Sequence, residues 1–182
     1  DLGVQTPEAM SLWSGLATGA TYIIVCLAAP FWGRVADKKG RKITLIRSSF
    51  GMALCNVLIA FQTTPEGVVL IRLVQGLVSG FYSASITLIA SESPIERTGW
   101  ALGLLASANL AGSLIGPLLG GYIADTVGIH NDFIIVGALM GLAGVLATIF
   151  IHENYVPQPN PEKLSIRKLK EQIPEFNSIV AL

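Results

Sequence analysis

The sequence predicts an all-α integral membrane protein, and three observations support this fold class. Hydrophobic residues make up 52% of the chain and charged residues only 13%, and the mean hydropathy is +0.61, unlike a soluble domain. Several apolar runs are long enough to cross the roughly 30 Å hydrocarbon layer of a membrane as helices. These runs lack alternation of polar and apolar residues, which argues against the strands of a membrane barrel.

Five apolar runs follow one another along the chain, separated by short polar connections. Each contains the roughly 20 residues that a membrane-crossing helix needs, and their edges are expected to within about 2 to 4 residues. The predicted spans are Ser11–Trp32, Ile43–Phe61, Gly67–Ala90, Gly99–Ile123 and Asp132–Ile151.

The charged residues cancel in number but are unevenly placed. The chain has 12 basic and 12 acidic residues, and a net charge of zero points to no nucleic-acid or acidic partner. Cytoplasmic loops retain lysine and arginine, whereas exported loops lack them. The first and third connections and the tail are therefore expected to lie on the cytoplasmic side of the cell membrane. Their basic residues are Arg34, Lys38, Lys39, Arg41, Lys42, Arg97, Lys163, Arg167, Lys168 and Lys170.

The two ends of the chain predict that it is an internal piece of a longer protein. Residues 1–10 carry no lysine or arginine and are expected outside the cell, yet no signal peptide precedes them. The five spans occupy residues 1–151, residues 152–176 are expected to form a cytoplasmic linker, and residues 177–182 to begin another span. Within the linker, residues 160–174 are interpreted either as an interfacial helix or as a solvated loop.

The first connection reads GRVADKKGRK, from Gly33 to Lys42, and fits the pattern G-x-x-x-D-(R/K)-x-G-(R/K)-(R/K). Gly33 and Gly40 are expected to permit a tight reversal of the chain. The neighbouring cations are expected to keep Asp37 ionised. An ordinary cytoplasmic anchor would explain the basic residues but not the spacing of the glycines and the aspartate.

One arginine, Arg72, lies inside the third apolar run and is followed by Gln75 and Gly76 in the order R-x-x-Q-G. A charge within a membrane normally faces the interior of the helix bundle or a wet cavity. Arg72 is therefore a candidate cavity residue. Because it lies only about 8 Å into the helix, snorkelling to the outer surface is the alternative.

The fourth apolar run contains AGSLIGPLLGG, in which Gly112, Gly116 and Gly120 recur every fourth residue and Pro117 interrupts the hydrogen bonds of the helix. Small residues at this spacing let another helix approach closely, and neighbouring helices satisfy the groups that proline leaves free. The pattern with Gly121 is G-x-x-x-G-P-x-x-G-G. A packing face without a specific function is the alternative.

These motifs resemble those of the major facilitator superfamily, and the glycine pattern of the fourth run resembles the fifth-span motif of its drug:proton antiporters. The phrases PFWGRVADKKGRK, TLIASESP and GWALGLL are similar to bacterial multidrug resistance transporters. The resemblance identifies the runs as spans two to six of the six-span amino-terminal half, and residues 152–176 as the linker between the halves. It implies that the first span and the carboxy-terminal half are missing partners.

The resemblance also implies roles for the motif residues. The first connection would latch the two halves together on the cytoplasmic side, Arg72 with Gln75 and Gly76 would take part in proton coupling, and the glycine face would seal the outer side. The gating residues are Gly33, Asp37, Lys38, Gly40, Arg41 and Lys42. Glu92 and Arg97 would form an ion pair near the gating residues, although solvated loop charges are the alternative.

Other residues suggest no chemistry of their own. Gly137, Gly141 and Gly144 are interpreted as a helix-packing face. Cys26 and Cys55 lie in separate apolar runs and indicate no disulfide, and the positions of His130 and His152 indicate no metal site. No motif for ATP binding or hydrolase chemistry occurs, so neither a cofactor nor an enzyme is predicted.

The sequence therefore predicts a secondary transporter that exports drugs or other small amphipathic compounds in exchange for protons by alternating access. No span contains an aspartate or glutamate between its edges, so the titrating carboxylate is expected in the missing segments. A metabolite or sugar exporter of the same superfamily is one alternative. A membrane anchor or assembly partner that transports nothing is the other.

Overall fold

The computed structural model describes residues 6–153, which form six α-helices. The helices are α1 (Pro7–Lys39), α2 (Arg41–Ala60), α3 (Pro65–Val78), α4 (Phe81–Glu92), α5 (Ile95–Val127) and α6 (Ile129–Phe150). Taking α3 and α4 together, five segments are long and apolar enough to cross a membrane. This confirms the predicted all-α membrane fold. The predicted linker and the start of a further span lie outside the described residues, except at residues 152–153.

The ends of the helices follow local sequence signals. Thr6 and Thr64 precede α1 and α3, and each hydroxyl accepts a hydrogen bond from a first-turn amide, as N-caps do. Pro7 and Pro65 each follow at the first helical position, where the missing N–H costs nothing. Four of the five predicted spans correspond to single helices, and α1 and α5 extend well beyond the predicted edges because polar residues continue them.

Two connections consist of one glycine each. Gly40 joins α1 to α2 with φ +96°, and Gly128 joins α5 to α6 with φ +91°. Such positive φ values are strained for residues that carry a side chain. The expected reversal in the first connection therefore occurs at Gly40 alone. The prediction that Gly33 contributes to it is wrong, because α1 runs through Gly33 to Lys39.

The third predicted span is not one continuous helix. It is broken at Ser79 and Gly80, where Ser79 is extended and Gly80 has φ +117°. The prediction treated Gly67–Ala90 as uninterrupted because its hydropathy has no gap at this point. A single left-handed glycine changes the direction of the backbone without adding a polar segment, so hydropathy does not reveal it.

The best-buried helix is α2, which packs along α6 and also contacts α1, α3 and α4. Leu45 of α2 forms a small core with Ala84 of α4 and Ala147 of α6. Ser48 and Ser49 are fully buried, and both hydroxyls donate to the carbonyl of Leu45. These bonds allow small polar residues to lie inside an apolar bundle.

The glycines of α6 bring this helix close to α2. A Cβ atom on Gly137 would lie 2.8 Å from Val57 Cγ2 and 3.0 Å from the Ala53 carbonyl oxygen, and one on Gly144 would lie 3.1 Å from Ser49 Cβ. A Cβ on Gly141 would make only an ordinary 3.9 Å contact with Ala53. The predicted packing role of this face is confirmed.

In contrast, α5 has no buried residue along its 33 residues. Its contacts are mainly with α6 and α4. The helix continues through Pro117.

Candidate functional site

The residues of the first connection lie around the turn at Gly40. Gly40 is buried, whereas Asp37, Lys38 and Gly33 are exposed on α1. Gly33 has open space around it, since an added Cβ would meet nothing within 4 Å. The motif therefore contains one glycine that the fold requires, Gly40, and one that the described residues leave uncovered, Gly33.

A carboxylate that the sequence analysis missed closes this turn. The Glu153 side chain accepts hydrogen bonds from the backbone amides of Arg41 at 2.7 Å and Lys42 at 2.8 Å. These amides begin α2, where free N–H groups and the helix dipole favour a negative charge. A Cβ on Gly40 would lie 2.7 Å from Glu153 Oε2. Glu153 thus joins the end of α6 to the start of α2.

The two basic residues after Gly40 hold the same end of the bundle together. Arg41 Nη1 donates to the carbonyl oxygen of Thr87 on α4 at 3.3 Å, and Lys42 Nζ donates to that of Thr148 on α6 at 3.0 Å. The cations of the motif therefore bind backbone groups of two other helices. They are not simply free charges at the surface.

A cavity of about 230 Å³ extends from this turn toward the break between α3 and α4. Its lining includes Asp37 and Arg41 of the first connection and Ser79 and Gly80 of the break. The remaining polar groups of its wall include the hydroxyls of Thr44, Ser83 and Thr87. The structure thus brings part of the predicted gating motif next to a helix break that the sequence analysis did not foresee.

Arg72 and Gln75 form a pair on α3. Arg72 Nη1 donates to Gln75 Oε1 at 2.7 Å, and Gln75 is only 5% exposed. Thr21 of α1 donates through its hydroxyl to the Arg72 carbonyl at 3.2 Å. These contacts and the partial burial of Arg72 favour the predicted interior position over snorkelling.

The glycine of this motif is needed for close packing of α1 on α3. A Cβ on Gly76 would lie 2.6 Å from the Thr21 carbonyl oxygen, a distance that side-chain carbons do not adopt. Arg72 itself lines a second cavity of about 590 Å³, whose wall also contains Trp13, His130 and Phe133. The three motif residues are therefore brought together, and their role in proton coupling stays a prediction.

The sequence analysis overlooked a second arginine within a span. Arg47 of α2 has its guanidinium carbon 3.4 Å from the centre of the Trp32 ring, and its Nη2 donates to the Ser79 carbonyl oxygen at 3.1 Å. Its Nε and Nη1 are buried, and neither has a hydrogen-bond partner among residues 6–153. The criterion that singled out Arg72, a charge inside an apolar run, applies equally to Arg47.

The glycine face of α5 is open. A Cβ added to Gly112, Gly116, Gly120 or Gly121 would meet nothing within 4 Å among residues 6–153. The expected packing partner, and with it the sealing role of Gly116 and Pro117, stays a prediction. The ion pair between Glu92 and Arg97 also stays a prediction, although both side chains are exposed near the short connection between α4 and α5.

Acidic residues within the described helices lie near helix ends. Asp132 lies in the first turn of α6, and its Oδ1 is buried without a hydrogen-bond partner among the residues that the structure describes. The prediction set Asp132 at the very edge of the last span, whereas α6 begins earlier, at Ile129. In the part of the chain that the structure describes, no cluster of three potential metal ligands occurs.

Comparison with known proteins gives a consistent assignment. A family model described as Major Facilitator Superfamily matches residues 3–178. The chain is 35% identical over 182 residues to a protein from Proteus mirabilis (strain HI4320) named Multidrug resistance protein MdtG, covering 100% of this chain and 45% of that protein. It is 38% identical over 181 residues to a protein of the same name from Dickeya zeae (strain Ech586), covering 100% and 44%.

A third relative of the same name, from Rahnella sp. (strain Y9602), is 38% identical over 168 residues, which is 92% of this chain and 41% of that protein. The chain thus spans a little under half the length of these relatives. The predicted resemblance to bacterial multidrug resistance transporters is confirmed by these matches.

Proposed function

The chain belongs to the major facilitator superfamily, and from this premise we propose that it forms part of an exporter of drugs or other small amphipathic compounds driven by inward proton flow. The superfamily consists of membrane transporters, and the five membrane-length helical segments of this chain agree with that class. The observation that carries the choice of substrate is the similarity, over the whole chain, to proteins named multidrug resistance protein. Relatives with that name favour efflux over uptake of a nutrient.

Alternating access supplies the mechanism of this proposal. Two bundles rock about a central substrate site, so that the site opens first to one side of the membrane and then to the other. The described helices would belong to one bundle, and the missing first span and second half would complete the transporter in the cell membrane with the basic connections in the cytoplasm. Energy would come from the proton gradient, without a cofactor.

The turn at Gly40 serves as part of the cytoplasmic gate in this proposal. It is supported by the hydrogen bonds through which Glu153, Arg41 and Lys42 tie the start of α2 to α6 and α4. We expect these bonds to hold this end of the bundle together, so that the nearby Asp37 is carried toward the opposing bundle as a fixed charge. Asp37 would pair there in one state and separate in the other.

Proton coupling is assigned to Arg72 with a carboxylate in the rest of the protein. Arg72 lines the larger cavity and is held by Gln75, so its charge is fixed where it can act on a neighbouring acid. A proton arriving at that acid would weaken its attraction to Arg72. The resulting change in charge is what couples proton entry to the change of access.

The glycine face of α5 is assigned to contact with the opposing bundle. Its support is that Gly112, Gly116 and Gly120 are covered by none of the described residues, although such a face permits close helix approach. A tight contact there would prevent passage of protons without substrate.

The test is an export assay with the full-length protein that carries this chain, expressed in bacteria that lack their own drug exporters. We expect lower accumulation of ethidium and higher drug tolerance than in cells with empty vector, and loss of both when an uncoupler removes the proton gradient. The Asp37→Asn variant should lose export while reaching the membrane at normal levels. Arg34→Gln, which removes an exposed charge from the same end of α1, is the matched control.

Two outcomes would contradict the proposal. Unchanged ethidium accumulation with export of a sugar or metabolite would redefine the substrate. Absence of any export by the parent protein would favour an anchor that transports nothing.

A further inference from the structure

The break between α3 and α4 creates a problem of unsatisfied backbone groups within a membrane-crossing segment. The last carbonyls of a helix have no partner inside the helix, and lipid offers none. The break at Ser79 and Gly80 lies in the middle of the segment Pro65–Glu92. Other parts of the protein must therefore satisfy these carbonyls.

Two neighbouring helices each supply a side-chain donor to the break. Trp32 of α1 donates through Nε1 to the Leu77 carbonyl oxygen at 2.7 Å. Arg47 of α2 donates through Nη2 to the Ser79 carbonyl oxygen at 3.1 Å. The Ser79 hydroxyl binds the Gly76 carbonyl oxygen at 2.9 Å. Three carbonyls around the break, those of Gly76, Leu77 and Ser79, thus each accept a hydrogen bond from a side chain.

The two donors also hold each other. The guanidinium carbon of Arg47 lies 3.4 Å from the centre of the Trp32 ring, a cation–π contact. The cation is also next to the carboxyl end of α3, where the helix dipole is negative. The ring, the carbonyl and the dipole together offset part of the cost of placing a charge about 9 Å into α2 from Arg41.

Packing keeps α2 against the segment on both sides of this contact. A Cβ on Gly51 would lie 2.9 Å from Val78 Cβ, so α2 touches the last residue of α3. On the other side of the break, Arg41 binds the Thr87 carbonyl of α4. Two arginines of α2 therefore contact the segment at the break and beyond it.

Arg47 is not fully satisfied by these contacts, because its Nε and Nη1 have no hydrogen-bond partner in the described part of the chain. A guanidinium that is needed only for stability would be expected to use its donors or to be replaced by an apolar residue. We infer that Trp32 and Arg47 form a clamp on the α3–α4 break, and that this pair positions α4 for export by holding the break until the bundle changes state.

The hydrogen-exchange part of the test does not depend on the export function. Deuterium uptake is measured in the purified full-length protein for peptides covering the break and for peptides covering α6. Trp32→Phe keeps a ring for the cation but removes the donor to Leu77, and Arg47→Gln removes the charge. Each should increase exchange at residues 79–84 about ten-fold, as expected for loss of one buried hydrogen bond, with no change in α6.

The export part rests on the proposed function and separates positioning from simple stabilisation. Per folded molecule, Trp32→Phe and Arg47→Gln should lower the maximal rate of ethidium export about ten-fold, with KM changed by less than about two-fold. Arg47→Lys keeps the charge but cannot both stack flat on Trp32 and reach Ser79, so it should recover only part of the rate. Trp100→Phe, on an exposed α5 side chain, is the matched control.

Unchanged exchange at residues 79–84 in Trp32→Phe would overturn the clamp, and so would full recovery of rate in Arg47→Lys. Increased exchange spread evenly over the bundle would also overturn it, because that result indicates general destabilisation. Trp32→Phe is a conservative change, so its hydrogen exchange tests the clamp even if Arg47→Gln does not fold. If neither the parent protein nor any variant exports ethidium while exchange changes as expected, the clamp stands and the proposed function fails.

Discussion

Two helices of this bundle carry glycines at helical spacing, but the glycines of one helix are packed against a neighbour and those of the other are not. On α6, Gly137 lies so close to α2 that a Cβ atom would overlap Val57, and a Cβ atom on Gly144 would crowd Ser49 and Phe50. On α5, Gly112, Gly116 and Gly120 have no neighbour within 4 Å in the described part of the chain. The same pattern thus marks a filled interface in one helix and an empty one in the other.

This contrast separates two reasons for placing glycine in a membrane helix. A filled face stabilises the bundle, because two closely packed backbones make more van der Waals contact with each other than either would make with lipid. An open face adds nothing to the stability of the described helices. The proposed function assigns its glycines to a contact outside residues 6–153, so we expect the two faces to respond differently to substitution.

The largest effect is expected from Gly137→Leu. Its side chain would overlap Val57 and the Ala53 carbonyl, and we expect a loss of about 3 kcal/mol or more in the free energy of unfolding, with export lost as well. Denaturation in detergent measures this loss. Gly141→Ala is the control, since its Cβ would make an ordinary 3.9 Å contact. Equal stability of both variants would contradict the close α2–α6 interface.

Gly116→Leu should abolish ethidium export without lowering stability. No described residue contacts this position, so the free energy of unfolding of the bundle should stay the same or rise by up to about 1 kcal/mol, as for other substitutions of an open glycine within a helix. Leu118→Ala, on the opposite side of α5, serves as the control. Retention of full export by Gly116→Leu would show that the open face has no partner of importance.

The α2–α6 pair has a second tie that α5 lacks, the Glu153 carboxylate. Glu153→Ala removes two charge-assisted hydrogen bonds to α2, and we expect a loss of about 1–2 kcal/mol in the free energy of unfolding. Glu153→Gln should lose less, because its amide oxygen still accepts one bond. Thermal unfolding checks both, with the exposed Glu96→Gln as control. A stability equal to that of the parent in Glu153→Ala would show that Glu153 does not cap α2.

The smallest effect concerns the two glycines of the first motif, which repeat the contrast between filled and open space. Gly33→Ala lies within a helix in open space, so it should stabilise the protein by up to about 1 kcal/mol. Gly40→Ala has positive φ and would contact Glu153, so it should destabilise the protein. Thermal unfolding of the two variants side by side is the measurement, and equal shifts would refute the assignment of the turn to Gly40.

Sequence reasoning predicted the class of fold and the number of spans because hydropathy depends on local composition. It also placed Arg72, Gln75 and Gly76 together, since residues three and four apart share a helix face. It could not find Glu153, whose bonds to α2 join residues 111 and 112 positions apart. Nor could it find the break at Gly80, because one residue with positive φ leaves hydropathy unchanged.

Arg47 is a different kind of omission. Its position in an apolar run was visible, but its meaning depends on Trp32 and on the Ser79 carbonyl, which lie on two other helices. The partner of the α5 glycines is likewise a matter of tertiary contact. Local patterns identify the helix face and its chemistry, whereas long-range packing decides what that face touches.

The single-residue connection at Gly128 has a consequence for how the protein is made. Val127 ends α5 and Ile129 begins α6, so no intervening loop is available to cross the bilayer by itself. We therefore expect the two helices to enter the membrane together as a hairpin. The connection to α6 would then hold one end of α5. It would limit how far the exposed surface of α5 can move within the lipid during synthesis.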